Sequence, residues 1–374
     1  MRIDFLNCTP IVYDFLHPDR VESLEDREGL SRMGKTSQCA VLIAVFSLLL
    51  PSAVTPGNSQ IPTPEEAPEI KITPKSHTFV VWGDIRFTDP KNCERSDAGA
   101  RQALLTQVAS LEPLPDFAVL TGDIVLTGQD DKDWNVFENE TTQLRDRVKL
   151  FPVLGNHDLI GKSGQTKFVK HFAELAHYPV LERNGWYSMR YDNSLFLMLD
   201  SQSSYLPQSL QGSWLRNQLK RVPDDLNFLF IVLHHPVVTH PGNRLSNVAV
   251  CGDTKKSLNA VHHVEEAEKE LKPVLEDFSY AHSSIKVIVF SGHNHNYERY
   301  VEKGITYIVT AGGGATPYPI RRSLNDFYQD AGPTFNYCSV SIDSQALSFQ
   351  MYKFNPKDNN WKQRDSFHLP PVSP

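Results

Sequence analysis

The chain has little cysteine, five residues among 374. Cys8 and Cys39 lie near the N-terminus, which leaves Cys93, Cys251 and Cys338 for everything that follows. An odd number at irregular spacing makes no disulfide framework, and zinc-finger spacing is absent. A Cys93–Cys251 bridge in an oxidising compartment is one alternative, isolated thiols the other. Blocks of like charge are also missing. The 37 Lys and Arg are scattered among 44 Asp and Glu, for a formal charge of −7. A basic groove for nucleic acid is therefore not expected. An anionic substrate is not excluded, because bound divalent cations would add positive charge that residue counting omits. No repeat period is visible.

Long apolar runs are scarce as well. The stretch Cys39 to Leu50 is almost wholly apolar, but a membrane span needs about 20 residues. Lys35 precedes it and Pro51-Ser52-Ala53 follows, which is the pattern of a secretory signal. An uncleaved anchor and a buried helix are the other readings. The expected partition is an extension over residues 1–32 ahead of a true start at Met33, then a signal peptide over 33–54. A linker follows over 55–75, carrying Pro56, Pro62, Pro64, Pro68 and Pro74. The folded domain is expected over 76–355 and a C-terminal tail over 356–374. The expected location is secreted or periplasmic, with no stable membrane span after signal removal.

What the chain does have is a series of polar segments, each just past an apolar one. Phe79-Val80-Val81-Trp82 runs into Gly83-Asp84, and Phe117 to Leu120 leads to Gly122-Asp123. Phe151 to Leu154 runs into Gly155-Asn156-His157-Asp158, and Phe228 to Leu233 into His234-His235-Pro236. Val287 to Phe290 precedes Gly292-His293-Asn294-His295. Short buried strands ending in Gly plus Asp, Asn or His put oxygen and imidazole donors on the C-terminal rim of an α/β sheet, where such folds bind ligands. One Gly-Asp alone is an ordinary turn. Five such segments in this order point to a metal centre.

Helical spacing is read over 97–111, 131–148, 164–176, 209–221 and 262–278. A hairpin is expected around Asp192-Asn193, joining 186–191 to 194–200, with strands near 305–310, 336–342 and 346–353. That order suggests two sheets packed face to face with helices outside. The irregular stretch 237–261 is the longest, and loops of that length usually carry function.

These segments resemble the calcineurin-like metallophosphoesterase superfamily. Gly292-His293-Asn294-His295-Asn296-Tyr297-Glu298-Arg299, followed by Gly312-Gly313-Gly314-Ala315, is similar to its purple-acid-phosphatase-like branch, as are Trp186-Tyr187-Ser188, Leu199-Asp200-Ser201 and Gln211-Gly212-Ser213-Trp214-Leu215. The likeness covers roughly residues 76–355. It implies an α/β fold, a four-layer α/β/β/α sandwich of two mixed sheets flanked by helices. It implies two divalent ions, with Asp123 bridging them. Asn156, His234 and His293 complete one metal site with Asp123, and Asp84, Asp123 and His295 form the other. Oxygen and imidazole donors without thiolate suit Mn, Fe or Zn.

The resemblance also implies attack of a metal-bridged hydroxide on a phosphoester, with His157 protonating the leaving oxygen, and imidazole has a suitable pKa for that task. Asp158 would orient the turn or that imidazole. Asn156, His157 and Arg86 are the candidate substrate contacts, and a small phosphorylated molecule is the expected partner. His235 is read as facing the other side of a strand, with a structural role or one supporting the ligands from behind, and His240, His262 and His263 as solvated. Gly312-Gly313-Gly314 would either offer backbone N–H groups to a phosphate or make a close-packed turn.

Two departures qualify the likeness. Much of the superfamily has Asp-x-His where this chain has Asp84-Ile85-Arg86. Arginine has no lone pair for a metal, so the first metal site loses one ligand, and Arg86 would contact a phosphate or a carboxylate, leave that site weak or empty, or face solvent. Leu126 stands where protein-phosphatase relatives carry Asp and purple acid phosphatases a metal-binding Tyr. A Ser/Thr-phosphatase reading is weakened, and a tyrosinate-to-iron colour is not expected. The alternatives are a catalytically weakened phosphate-ligand-binding protein of the same fold, or a nuclease.

Overall fold

The computed structural model describes residues 67–91, 96–243, 263–343 and 345–371. The expected bridge through Cys93 and Cys251, the signal segment and His262 lie outside them. No helix among the described residues is long and apolar enough to cross a membrane.

Among the described residues, thirteen strands form two sheets. The first has six strands: β2 (Thr78–Trp82), β3 (Phe117–Leu120) and β4 (Lys149–Pro152) are parallel neighbours, extended by β11 (Asn336–Asp343), β12 (Ala346–Asn355) and β13 (Asn360–Leu369) in antiparallel order. The second has seven, in the order β1 (Glu69–Ile72), β5 (Tyr187–Tyr191), β6 (Ser194–Met198), β7 (Phe228–Val232), β8 (Lys286–Ser291), β10 (Ile305–Thr310) and β9 (Tyr297–Glu302). Within it β6, β7, β8 and β10 run parallel.

Strand alternation explains the layering. Phe228, Phe230 and Val232 of β7 face the core shared with β2 and β3, while Leu229 and Ile231 face a second core. Residues on β6 and β8 divide the same way: Phe196, Met198, Ile288 and Phe290 point inward, and Leu195, Leu197, Val287 and Val289 point outward. A strand buried on both faces reads as a continuous apolar run, which is why these segments look as they do. Between the sheets, Phe79 meets Phe196 at 5.2 Å and Phe230 at 5.3 Å, edge to face. Helices α1 (Ala98–Ala109), α2 (Asp131–Arg145) and α3 (Gly164–His171) cover the first sheet through Leu104, Val108, Trp134, Phe137 and Phe168. Helices α4 (Leu210–Lys220) and α5 (Lys272–Ala281) cover the second through Leu215, Leu219, Leu275 and Phe278. The result is the expected four-layer α/β/β/α sandwich.

The sheets reach past the expected 76–355. Glu69–Ile72, read as linker, is an edge strand paired with β5. Asn360–Leu369, read as tail, pairs along its length with β12. Both are half-exposed edges rich in charge, so neither carries the apolar run that marks an interior strand.

Candidate functional site

The loops that follow β2, β3 and β4 leave one sheet, and those that follow β7 and β8 leave the other. Backbone bonds stitch them together: Asp84 N donates to Gly122 O at 2.9 Å, and Gly292 N to His234 O at 2.9 Å. The glycines permit this closeness. Gly122 has φ 93°, and a Cβ there would sit 2.8 Å from His234 Nδ1, while a Cβ at Gly155 would collide with Asp123. The residues that follow are strained: Asp84, Arg86, Asp123 and His293 all have positive φ, between 49° and 72°. Non-glycine residues hold such conformations where the surroundings over-determine them, and they cluster at functional sites.

Four donor atoms converge. His234 Nδ1 lies 2.8 Å from Thr121 O. A carbonyl oxygen only accepts, so Nδ1 carries the proton and Nε2 is a lone pair. That Nε2 faces Asn156 Oδ1 at 3.1 Å, His293 Nδ1 at 3.3 Å and Asp123 Oδ1 at 3.5 Å. Beside them, His295 Nδ1 is fixed by Thr316 O at 3.1 Å, which turns its Nε2 lone pair toward Asp84 Oδ1 at 3.4 Å. Asp84 Oδ1 is buried with no hydrogen bond. Asp84, Asp123 and His295 offer atoms within 4.8 Å of one another. Lone pairs aimed at each other in a buried centre repel unless a cation lies among them, so the residues present here fit a bound cation.

The electrostatics agree. Burial pushes the Asp84 carboxyl up to about 7. Burial acts the same way on Asp123, but His234, His157 and Arg86 outweigh it and hold that carboxyl well below the usual range. Burial, then the neighbouring His234, keeps His293 neutral. Burial and then Arg86 push His295 down to about 3. Neutral imidazoles are the form that binds metal.

Arg86 takes the carboxylate alternative: its Nη2 is 2.9 Å from Asp123 Oδ2, with both side chains buried. His157 Nδ1 is 2.7 Å from the Leu126 carbonyl, so Nε2 is the atom turned toward Asp123, at 4.0 Å. Burial, then Arg86, pushes His157 down to about 3. In this state its Nε2 carries no proton. Asp158 touches no donor set. Its carboxylate takes Ile124 N at 2.9 Å, Val125 N at 3.2 Å and Gly155 N at 2.9 Å, tying the Asp123 loop to the Asn156 turn. Of the two expected roles, it holds the turn.

His235 departs from expectation. Its ring centroid lies 4.4 Å from that of His293, its Nδ1 is 2.8 Å from Ser201 Oγ, and its buried Nε2 has no hydrogen bond. With His234 and His293 it makes a third imidazole at the centre. β7 ends at Val232, so pleat alternation no longer applies at 234 and 235. In the glycine run, Gly313 N and Ala315 N donate to Gly83 O and Asp84 O at 2.9 and 2.7 Å, the close-packed turn of the two alternatives. His240 is partly buried and accepts Gly242 N through Nδ1 at 3.0 Å, and partly buried His263 pairs with Glu266 at 3.0 Å. Neither is simply solvated. Glu298 was missed as a site residue: this fully buried carboxylate accepts from Thr239, Asn243, Asn294 and Tyr300 side chains.

A model of the calcineurin-like phosphoesterase family matches residues 77–297. The chain belongs to that family. A probable glycerophosphodiester phosphodiesterase GpdQ of Arcobacter nitrofigilis is 30% identical over 140 residues, 36% of this chain and 46% of that protein. The chain thus matches less than half the length of this relative. Among solved structures, the purple acid phosphatase PPD1 of yellow lupin superposes with a TM-score of 0.60 at 16% identity, over 78% of this chain and 53% of that one. GAP50, the anchor in the inner membrane complex of Plasmodium, superposes with a TM-score of 0.51 at 15% identity, over 77% and 88%. These two likenesses concern the fold.

Proposed function

We propose that the protein is a metal-dependent phosphohydrolase acting on phosphomonoesters or phosphodiesters, and that it works in a secreted or periplasmic setting. The observation that carries the reading is the convergence of Asn156 Oδ1, His293 Nδ1 and Asp123 Oδ1 on His234 Nε2, at 3.1–3.5 Å from it. Asp123, Asn156, His234 and His293 would hold one ion, and Asp84, Asp123 and His295 a second. When bound, such ions polarise a phosphoryl oxygen and lower the pKa of water to near neutrality.

The chain's own groups do the rest. Asn156 and His157, adjacent on one turn, face the incoming phosphate. His157 is poised by the Leu126 carbonyl, with Nε2 toward the site. It is unprotonated while the site is empty of anions, so it becomes the donor to the leaving oxygen only when the phosphate's negative charge offsets its burial and Arg86. Thr121 and Thr316 carbonyls fix the tautomers of His234 and His295.

The test pairs elemental analysis of the purified protein with a panel of phosphomonoesters and phosphodiesters. Asp123→Asn is expected to lower turnover by at least about a thousandfold, with loss of bound metal. A protein that holds no metal and cleaves nothing on the panel overturns the reading. Arg86 on Asp123 and the shared fold with an anchor protein favour a second reading, a binding protein that retains phosphate ligands without cleaving them. Metal and phosphate binding with no turnover would select it.

A further inference from the structure

Arg86 is the feature that the proposed function does not absorb. It stands at φ 49° on the loop that carries Asp84, nearly fully buried, and its guanidinium bonds the carboxylate that lies between the two donor sets. The two Asp123 oxygens are not equivalent. Oδ1 accepts His157 N at 2.9 Å and faces His234 Nε2 at 3.5 Å, on the side of Asn156 and His293. Oδ2 is the one held by Arg86, at 2.9 Å.

A guanidinium keeps its charge at any ordinary pH and offers no lone pair. On Asp123 Oδ2 it does part of what a cation would do there: it satisfies the oxygen and neutralises one charge. Asp84 and Asp123 bring two negative charges to the centre and Arg86 one positive. A first divalent ion leaves the set at one positive charge and a second leaves it at three, in a site whose side chains are almost entirely buried. Repulsion between like charges is poorly screened under those conditions. The set of Asp123 Oδ1, Asn156, His234 and His293 has four members and uses the Asp123 oxygen that the guanidinium does not hold. The set of Asp84, Asp123 and His295 has three members, and one of its carboxylates is already engaged.

We infer that Arg86 acts as a built-in cation that makes the two metal positions unequal. One ion binds tightly at the Asn156, His234 and His293 position. The position at Asp84 and His295 fills only at much higher metal concentration, with Arg86 supplying much of the positive charge there. This rests on the metal-dependent reading above and specifies its stoichiometry. Arg86 is a positioning residue for Asp123.

The experiment titrates metal-stripped full-length protein with Mn2+ by calorimetry, counts bound ions by elemental analysis, and records the Mn2+ electron paramagnetic resonance spectrum. Wild type should take up one tight equivalent and a second about tenfold or more weaker, and show the spectrum of an isolated ion at one equivalent. Arg86→Gln, which removes the charge but keeps a hydrogen-bond donor, should tighten the second equivalent about tenfold, with spin coupling between the two ions. Arg86→Lys should behave as wild type, since it retains the charge. Arg86→Met serves as a second neutral variant should Arg86→Gln fail to fold. Two equal equivalents in wild type, or a second affinity that neutral variants leave unchanged, overturn the inference and leave the hydrolase reading standing. No uptake by any form overturns both.

Discussion

At the scale of single residues, backbone carbonyls decide which ring nitrogen His157, His234 and His295 offer to the site. His234 and His295 each use one ring nitrogen on a carbonyl, so the other can only be a lone pair. His157 has the same arrangement through Leu126, yet its free nitrogen lies 4.0 Å from Asp123 and belongs to neither donor set. That separation argues for a role toward substrate. If His157 protonates the leaving oxygen, its loss matters in proportion to how badly the leaving group needs a proton. His157→Ala should slow alkyl phosphoesters by about a hundredfold or more and p-nitrophenyl esters by much less. Equal losses on both, measured as kcat/KM under saturating metal, would remove the acid role. The neighbouring Asp158 is held by three backbone amides, so its replacement should act through stability and not through leaving-group dependence.

At the scale of elements, one strand outside the expected set governs the site. β9 carries Glu298, whose carboxylate accepts Thr239 Oγ1 at 2.9 Å, Asn294 Nδ2 at 3.0 Å, Asn243 Nδ2 at 3.2 Å and Tyr300 OH at 2.5 Å. Asn294 separates His293 from His295, and Thr239 and Asn243 belong to the segment after His234. Glu298 therefore ties both histidine loops to one sheet edge. Removing a buried acceptor leaves several donors unsatisfied, and Glu298→Ala should cost on the order of 3 kcal/mol. Metal retention should fall with it, because the His293 and His295 loop loses its support. Tyr300→Phe removes one donor and should cost about 1 kcal/mol. Denaturant melts with metal counts would check the pair, and an Ala variant as stable as wild type would show that the network is incidental. None of this was visible in sequence. Asn296-Tyr297-Glu298-Arg299 reads as the tail of a histidine motif, and two of the four side-chain donors to this buried glutamate come from a segment over fifty residues away. By contrast, the ligand segments were legible, because an apolar run followed by Gly and a donor residue is a local pattern. His235 was misread for a geometric reason: the strand stops two residues before it.

At the scale of the whole molecule, the sandwich follows from runs such as Phe228 to Val232, buried on both faces. Such runs need a layer on each side, and the alternation of helices and strands supplies them. The two edge strands, β1 and β13, escaped notice because alternating half-exposed residues do not announce a layer. What the layers create is a polar centre between the rims of two sheets, built at a cost to the fold. Asp84 is buried with its carboxyl pushed up to about 7 and one oxygen without a hydrogen bond, and His235 and His293 each bury an unpaired Nε2. Ions that bind only the folded state offset that cost by mass action. At a free concentration a hundredfold above Kd, one ion stabilises by about 2.7 kcal/mol, and a domain of this size gains roughly 2–4 °C in Tm per kcal/mol. Dialysis against a chelator should therefore lower Tm by roughly 5–10 °C, and added Mn2+ or Zn2+ should restore it. Asp123→Asn should melt at a temperature that no longer responds to metal, and above the stripped wild type if its buried charge is a net burden without ions. Identical melting of stripped and metal-loaded wild type would mean that the converging lone pairs hold no ion, and the proposed chemistry would fall with them.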